Sequence, residues 1–257
     1  MTRPRLTIAF IPIMTIRPSL LPLTLLLAAT PLTQAANLPV EDILRQVDHY
    51  RMPVPSFEAS VRITPLRDGK EQEPGTYLIK GGGPNQVLVE ATSFDQRGQK
   101  FLTTDNGLFF YAPRTKRAIR LTPLQTLRGQ ASIGDIARIS FASDYTASEM
   151  ELPPQSCPDS PCLALQLTSK NREATYTRIE LIVSRQKSRY VPIKAMLHVA
   201  SGKLLKIAQF TPASGNLPPS TLYLDPQDAS EQTRVEFEKL SAATFPPALF
   251  NPRSLEQ

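Results

Sequence analysis

The sequence predicts an α+β protein that is mainly β and is built on one large antiparallel sheet. From residue 56 onward, apolar and polar residues alternate with a period of two, which is typical of half-buried strands. Turn sequences that contain glycine separate these runs at intervals suited to hairpins. One clear helical pattern precedes the strands, so little helix is available to cover the sheet.

The helix is predicted over residues 38–50. Asn37 is placed to cap it, and the acidic pair Glu41 and Asp42 lies in its first turn. Pro53 follows the pattern and ends it. The apolar residues at helical spacing are Val40, Ile43, Leu44 and Val47. Because these residues form one face, we expect the helix to pack against the sheet.

The predicted strands share the alternating pattern and are bounded by turn residues. They cover residues 57–64, 76–80, 86–91, 99–104, 108–112, 118–121, 163–168, 176–184, 193–200, 204–211 and 233–240. Asp68-Gly69, Arg97-Gly98, Asn106-Gly107 and Ser201-Gly202 are predicted hairpin turns. The triplet at residues 81–83 precedes Pro84 and a strand, so it indicates a turn and not a phosphate-binding loop.

The segment at residues 123–151 departs from strand alternation. Its apolar residues are Leu124, Leu127, Ile133, Ile136, Ile139 and Phe141. We expect short helices or a mobile flap here, since long insertions of this kind often serve as functional lids.

The first 35 residues have the organisation of a secretory signal peptide. Arg3, Arg5 and Arg17 precede an apolar run at residues 20–29, and small residues at Thr33 and Ala35 mark a cleavage site. The alternative, a membrane anchor, needs roughly 20 apolar residues. The prediction is therefore a leader at residues 1–35 and a single periplasmic domain, soluble after cleavage, at residues 36–257. Met1 and Met14 are both candidate translation starts, because both leave the same three regions.

Charge and cysteine content narrow the function classes. The formal net charge is +6, and the cations are spread along the chain, so we expect no nucleic-acid partner. Cys157 and Cys162 are the only cysteines, and an exported chain favours a disulfide between them. Two cysteines with the remote His49 and His198 make a poor zinc site. We therefore predict no metal and no cofactor.

Catalytic motifs are missing from the sequence. It has no G-x-S-x-G, H-E-x-x-H or P-loop pattern. Asp135 and Asp144 are carboxylates in the irregular segment, but no spacing brings them together, so we interpret them as loop-ordering residues. The prediction is a protein that is not an enzyme.

The sheet carries more apolar surface than one helix can cover. If it curls, a helix and a flap on its concave side would enclose a cavity for lipid; otherwise the same side chains form an ordinary packed core. The residues themselves leave this choice open. Alternation selects these candidate cavity residues: Phe57, Val61, Ile63, Tyr77, Ile79, Val87, Val89, Leu165, Leu167, Ile179 and Leu181. A shift of one residue would turn each strand over and reverse the assignment.

Several segments, in this order, resemble the LolA/LolB family of periplasmic carriers, in particular its LolA-like outer-membrane lipoprotein-sorting proteins. The similar segments are residues 40–44 with 57–63, the hairpin at 100–117, the loop at 129–137 with Asp144 and Tyr145, the hairpin at 191–206, and the ending at 249–252. Phe109 stands where that family commonly has tryptophan. The resemblance implies an incomplete antiparallel β-barrel whose concave face is covered by helices, with a hydrophobic cavity for acyl chains.

The resemblance also implies a function. It predicts binding and transfer of a lipoprotein or lipid-like cargo toward the outer membrane, with transient contact at a membrane surface. The partners would be an acylated lipoprotein or lipid, and an inner-membrane lipid exporter or an outer-membrane acceptor. The alternative is a periplasmic sensor module that binds an envelope-stress signalling partner.

Overall fold

The computed structural model describes residues 38–83, 85–137, 140–152, 157, 161–170 and 174–256. The predicted leader, both candidate start positions and Asn37 lie outside these residues. Within the described part, no helix is long and apolar enough to cross a membrane.

The first element is the predicted helix, α1 (Val40–Arg51). It begins two residues later than expected, because Pro39 occupies the N-cap position that the sequence suggested for Asn37. Glu41 and Asp42 lie in the first turn, where the helix dipole favours negative charge. The helix buries one face, formed by Ile43, Leu44 and Val47.

Sixteen strands follow in the described residues, most of them where alternation predicted them. They are β1 (Phe57–Arg67), β2 (Lys70–Glu71), β3 (Gly75–Gly83), β4 (Gln86–Ala91), β5 (Lys100–Thr104), β6 (Gly107–Tyr111), β7 (Ala118–Leu121), β8 (Thr126–Arg128), β9 (Ala131–Ser132), β10 (Tyr145–Met150), β11 (Cys162–Ser169), β12 (Arg178–Gln186), β13 (Arg189–His198), β14 (Leu204–Phe210), β15 (Thr221–Leu224) and β16 (Glu231–Ala242).

Fourteen of these strands form one antiparallel sheet, which confirms the predicted fold class. Its order is β10-β11-β12-β13-β14-β15-β16-β1-β3-β4-β5-β6-β7, with β2 beside β1. The sheet is not closed into a barrel, since β10 and β7 have a neighbour on one side only. The longest seam pairs β1 with β16, from Phe57 opposite Ala242 to Arg67 opposite Glu231.

The irregular segment contains more strand than predicted. β8 and β9 form a small separate sheet, and two short helices follow, α2 (Ile133–Ala137) and α3 (Phe141–Asp144). The expectation of short helices is therefore correct, but β10 is a strand of the main sheet. Its sequence is mostly polar because it is an edge strand that buries little side-chain surface.

The two faces of the sheet are covered differently. The inner face, defined here as the face that packs on α1, α2 and α3, carries the large core cluster. The outer face of β4 and β5 carries a second cluster, in which Leu88 and Leu102 pack against Phe250 and Leu255. Those two residues belong to C-terminal 3₁₀ helices, Pro247–Phe250 and Pro252–Glu256. Consecutive residues of β4 thus belong to different clusters.

The predicted disulfide joins Cys157 to Cys162, whose Cα atoms are 6.2 Å apart. It lies at the start of β11, at one end of the main sheet.

Candidate functional site

All eleven candidate cavity residues are buried in the inner-face cluster. The strand register brings them into rows: Val61 lies opposite Tyr77, and Ile79 lies opposite Val89. On the other half of the sheet, Leu165 lies opposite Leu181, and Leu167 lies opposite Ile179. Their contact with a cargo stays a prediction.

Most of this inner face is filled by the helices and is not open. Ile43, Leu44 and Val47 of α1 share the cluster, as do Ile133 and Ile136 of α2. Of the eleven candidates, Phe57 alone lines any of the four cavities considered among the described residues. Among the described residues, the two larger spaces therefore border the end of α1, and two spaces of about 30 Å³ each lie deeper in this face.

The apolar cavity, as we name it, has a volume of about 290 Å³ and lies beside the end of α1. It is lined by Asp48, His49, Met52, Val54, Pro55, Ser56, Phe57, Gly82, Gly83 and Ser140. Gly81 is needed beside it, because a Cβ there would come within 2.4 Å of the Phe57 ring. The glycine run at residues 81–83, which the sequence indicated as a turn, thus also leaves room for the Phe57 ring that forms part of the cavity wall.

The polar cavity, a second space of about 630 Å³, borders the same stretch of chain. It shares His49 and Val54 with the apolar cavity. Its other lining residues are Gln46, Tyr50, Pro53, Gln186, Arg189, Pro212, Ala213, Gly215, Asn216, Leu217, Leu240, Ser241 and Ala242. None of these described lining residues is acidic, and Arg189 is the one arginine or lysine among them.

Asp48 is the single carboxylate of the apolar cavity, and it is engaged by α3. Its Oδ1 accepts a hydrogen bond from Phe141 N, and its Oδ2 accepts from Ala142 N and from Ser140 Oγ, each at 2.8 Å. Burial raises the pKa of this carboxyl, while the nearby Arg51 and these hydrogen bonds oppose the rise. The side chain therefore ties α1 to α3 at the cavity wall.

A buried ion pair lies farther inside, where sequence reasoning did not look for one. Lys206 Nζ is 2.7 Å from Asp135 Oδ2, and the two side chains are 3% and 2% exposed. The Tyr176 hydroxyl donates to Asp135 Oδ1 at 2.5 Å. Burial, with the Asp135 charge adding to it, raises the pKa of Tyr176 well above its usual range. The sequence feature that could have indicated this pair is Lys206, a lysine at an inward-facing position of β14, opposite Leu197.

The loop-ordering role expected for Asp135 agrees with its contacts, because Oδ2 accepts from both the backbone N and the Oγ of Ser132. Asp144 is also buried. Asp135 and Asp144 line one small space of about 30 Å³. Among the described residues, no group of three or more histidine, cysteine or acidic side chains is arranged to hold a metal ion.

One family model and several solved structures are similar to this chain. A model of a family described only as an uncharacterized protein matches residues 83–257. No curated protein matches the chain. A LolA superfamily protein from Nitrosomonas europaea is similar in structure, with a TM-score of 0.73 and 28% identity over 82% of this chain and 96% of the other.

Two further solved structures share the fold at lower identity. One is described as an outer membrane lipoprotein-sorting protein domain from Vibrio parahaemolyticus; it gives a TM-score of 0.65 and 16% identity over 85% of this chain and all of the other (100%). A DUF1329 family protein from Desulfovibrio piger gives a TM-score of 0.62 and 17% identity over 84% of this chain and 97% of the other.

Proposed function

The chain belongs to the uncharacterized protein family matched over residues 83–257 and has the LolA-like fold, and from this premise we propose that it is a periplasmic carrier. It binds a lipoprotein or another lipid-like hydrophobic cargo and transfers it toward the outer membrane. No chemical step is involved. The lipoprotein-sorting description of the Vibrio domain supports this class of cargo.

The observation that carries the proposal is the apolar cavity beside α1. Met52, Val54 and Phe57 give it an apolar wall, and burial of an acyl chain gains about 0.8 kcal/mol for each methylene removed from water. The cavity lies at the end of the inner face. An acyl chain that enters there lies next to Phe57, which is the first of the inward-facing residues of β1.

The eleven inner-face residues are proposed as the surface that longer chains reach. In the structure, α1 and α2 cover this surface. These helices are short, with twelve residues in α1 and five in α2, so their displacement would expose apolar wall without breaking the main sheet. The cargo then replaces contacts that the helices make.

The cellular route follows from the predicted leader at residues 1–35. Export would place the protein between an inner-membrane lipid exporter and an outer-membrane acceptor, with transient membrane-surface contact at each end of the route. N-terminal sequencing of the exported protein is expected to find Ala36 or Asn37 first.

Native mass spectrometry of the protein purified from its own periplasm tests the proposal, with a co-purifying lipid expected. After removal of lipid, the protein should bind a fluorescent acyl probe, and Met52→Gln should weaken that binding about tenfold because apolar contact is lost. Met150→Gln is the matched control, since Met150 lies on edge strand β10 away from both cavities. Lipid-free protein that binds no acyl probe at any soluble concentration would contradict the carrier function and favour the signalling alternative.

A further inference from the structure

The polar cavity, whose lining is part polar and part apolar, has features of a site for an anionic group. Its lining offers the side-chain amides of Gln46, Gln186 and Asn216, and one permanent cation, Arg189. None of the described lining residues is acidic, so no side-chain carboxylate among them repels an anion. An anion in this space would therefore meet hydrogen-bond donors and a single positive charge.

Two contacts hold the wall of this cavity in place. The Arg189 guanidinium carbon lies 5.3 Å from the centre of the Tyr50 ring, within the range of a cation–π contact. The Tyr50 hydroxyl accepts a hydrogen bond from Ala213 N at 2.9 Å, which fixes the loop at residues 212–217 against α1. The cation is thus positioned by the helix that also borders the apolar cavity.

No carboxylate of the described residues neutralises the charge of Arg189. Arg189 makes no ion pair with any residue that the structure describes. Arg185, the penultimate residue of β12, Lys187, in the turn that follows, and Arg189 itself, the first residue of β13, are all exposed. Among the described residues, Arg189 is therefore a cation that an anionic ligand in the cavity can pair with.

The two cavities lie side by side at the C-terminal end of α1, since His49 of α1 and Val54 just beyond it line both. This arrangement suits an amphiphile, with a tail on one side and a head on the other. We propose, resting on the carrier function above, that the cargo has an anionic phosphate headgroup that binds Arg189 in the polar cavity while an acyl chain occupies the apolar cavity.

Titration of the lipid-free protein with monomeric single-chain lipids tests this inference. Lysophosphatidylglycerol and lysophosphatidylcholine with the same acyl chain differ in net headgroup charge, and inorganic phosphate has the anion without a chain. We expect the anionic lipid to bind about tenfold more tightly than the zwitterionic one. Inorganic phosphate should bind too weakly to compete, because it lacks the chain. Competition by phosphate at equal concentration would assign the site to a free anion and overturn the lipid headgroup.

Arg189→Gln should remove the preference for the anionic lipid, and Arg189→Lys should retain part of it, since lysine keeps the charge but not the planar fork. Arg185→Gln is the matched control, because it removes the same charge from the neighbouring strand β12 without changing the cavity lining. Thermal unfolding of each variant checks that the fold is intact.

The outcomes separate this inference from the carrier function. Equal binding of both lysolipids, or an equal loss in Arg185→Gln and Arg189→Gln, would overturn the headgroup site and leave the carrier function standing. Absence of binding by every acyl compound would instead contradict the carrier function itself.

Discussion

A lysine buried in an apolar sheet face is stable only with a partner, and Lys206 has one in Asp135. Taking either charge out of water costs several kcal/mol, and the 2.7 Å contact offsets that cost only while both partners are present. Lys206 also donates to the carbonyl oxygen of Gln130. One side chain of β14 thereby holds the segment between β8 and α2 against the inner face.

Removal of one partner should therefore destabilise the protein more than removal of both. Lys206→Met is expected to lower the free energy of unfolding by about 3 kcal/mol, because Asp135 is left buried without a cation. Adding Asp135→Asn should restore part of that loss. Urea unfolding of the single and double variants measures the coupling.

Lys203→Met is the matched control, since Lys203 is exposed just before the same strand, and it should change stability by less than about 0.5 kcal/mol. A Lys206→Met variant as stable as the control would contradict a structural role for the pair. A double variant less stable than Lys206→Met would contradict the charge explanation.

At the scale of elements, Asp48 joins two helices that the sequence treats separately. It lies in α1, and it accepts from the backbone N–H groups of Phe141 and Ala142 in the first turn of α3. A helix of four residues cannot satisfy its own first N–H groups, so it depends on such an acceptor. This contact also fixes the position of Asp48 relative to Ser140, and both residues line the apolar cavity.

Asp48→Asn should destabilise the protein by about 1 kcal/mol at pH 4, because the amide has one acceptor oxygen where the carboxyl group has two. Burial raises the pKa of Asp48 in the folded state above its unfolded value. The folded state therefore binds the proton more tightly, and the stability this provides is lost as the pH rises through the folded pKa. The advantage of the wild type over Asp48→Asn should consequently be smaller at pH 7 than at pH 4.

Urea unfolding of both proteins at the two pH values checks this direction. Asp42→Asn is the control, because Asp42 is on the same helix but is paired with Arg45 at the surface. A wild-type advantage that grows with pH would show that Asp48 is stabilised as an anion and would contradict the prediction.

The elements that sequence reasoning predicted best are those whose pattern is local. Strict alternation in β1 placed that strand, and the spacing of Ile43, Leu44 and Val47 placed α1. The strands that were missed are β2, β8, β9, β10 and β15; β10 is a mostly polar edge strand, and the others have two to four residues. Their conformation is set by pairing with other strands, which no local pattern records.

The site was harder to predict than the fold for the same reason. Alternation selected inward positions such as Val89 and Leu167, which are buried in the inner-face cluster. The cavities depend on contacts between remote segments, such as Ala213 with Tyr50 and Gln46 with Tyr190. Neither the composition of the chain nor the spacing of its residues predicts these contacts.

At the scale of the whole molecule, the two faces of the sheet should differ in function although both are apolar. In β4, Val89 belongs to the inner-face cluster, while its neighbour Leu88 packs on the outer face against the C-terminal 3₁₀ helices. Both side chains are almost fully buried. A carrier uses one face for cargo, whereas an ordinary core uses both faces only for stability.

Val89→Gln and Leu88→Gln provide a matched test of this difference. Each buries an unpaired amide, so each should lower the free energy of unfolding by about 1 to 3 kcal/mol. Because Val89 is proposed to contact cargo, Val89→Gln should also weaken binding of an acyl probe to the folded protein, and Leu167→Gln should do the same. Leu88→Gln should leave the affinity of the folded fraction unchanged. Probe affinity and thermal midpoint, measured on the same samples, separate the two effects. If Val89→Gln and Leu88→Gln lose the same stability and bind the probe equally well, the inner face serves only for packing and cargo does not reach it.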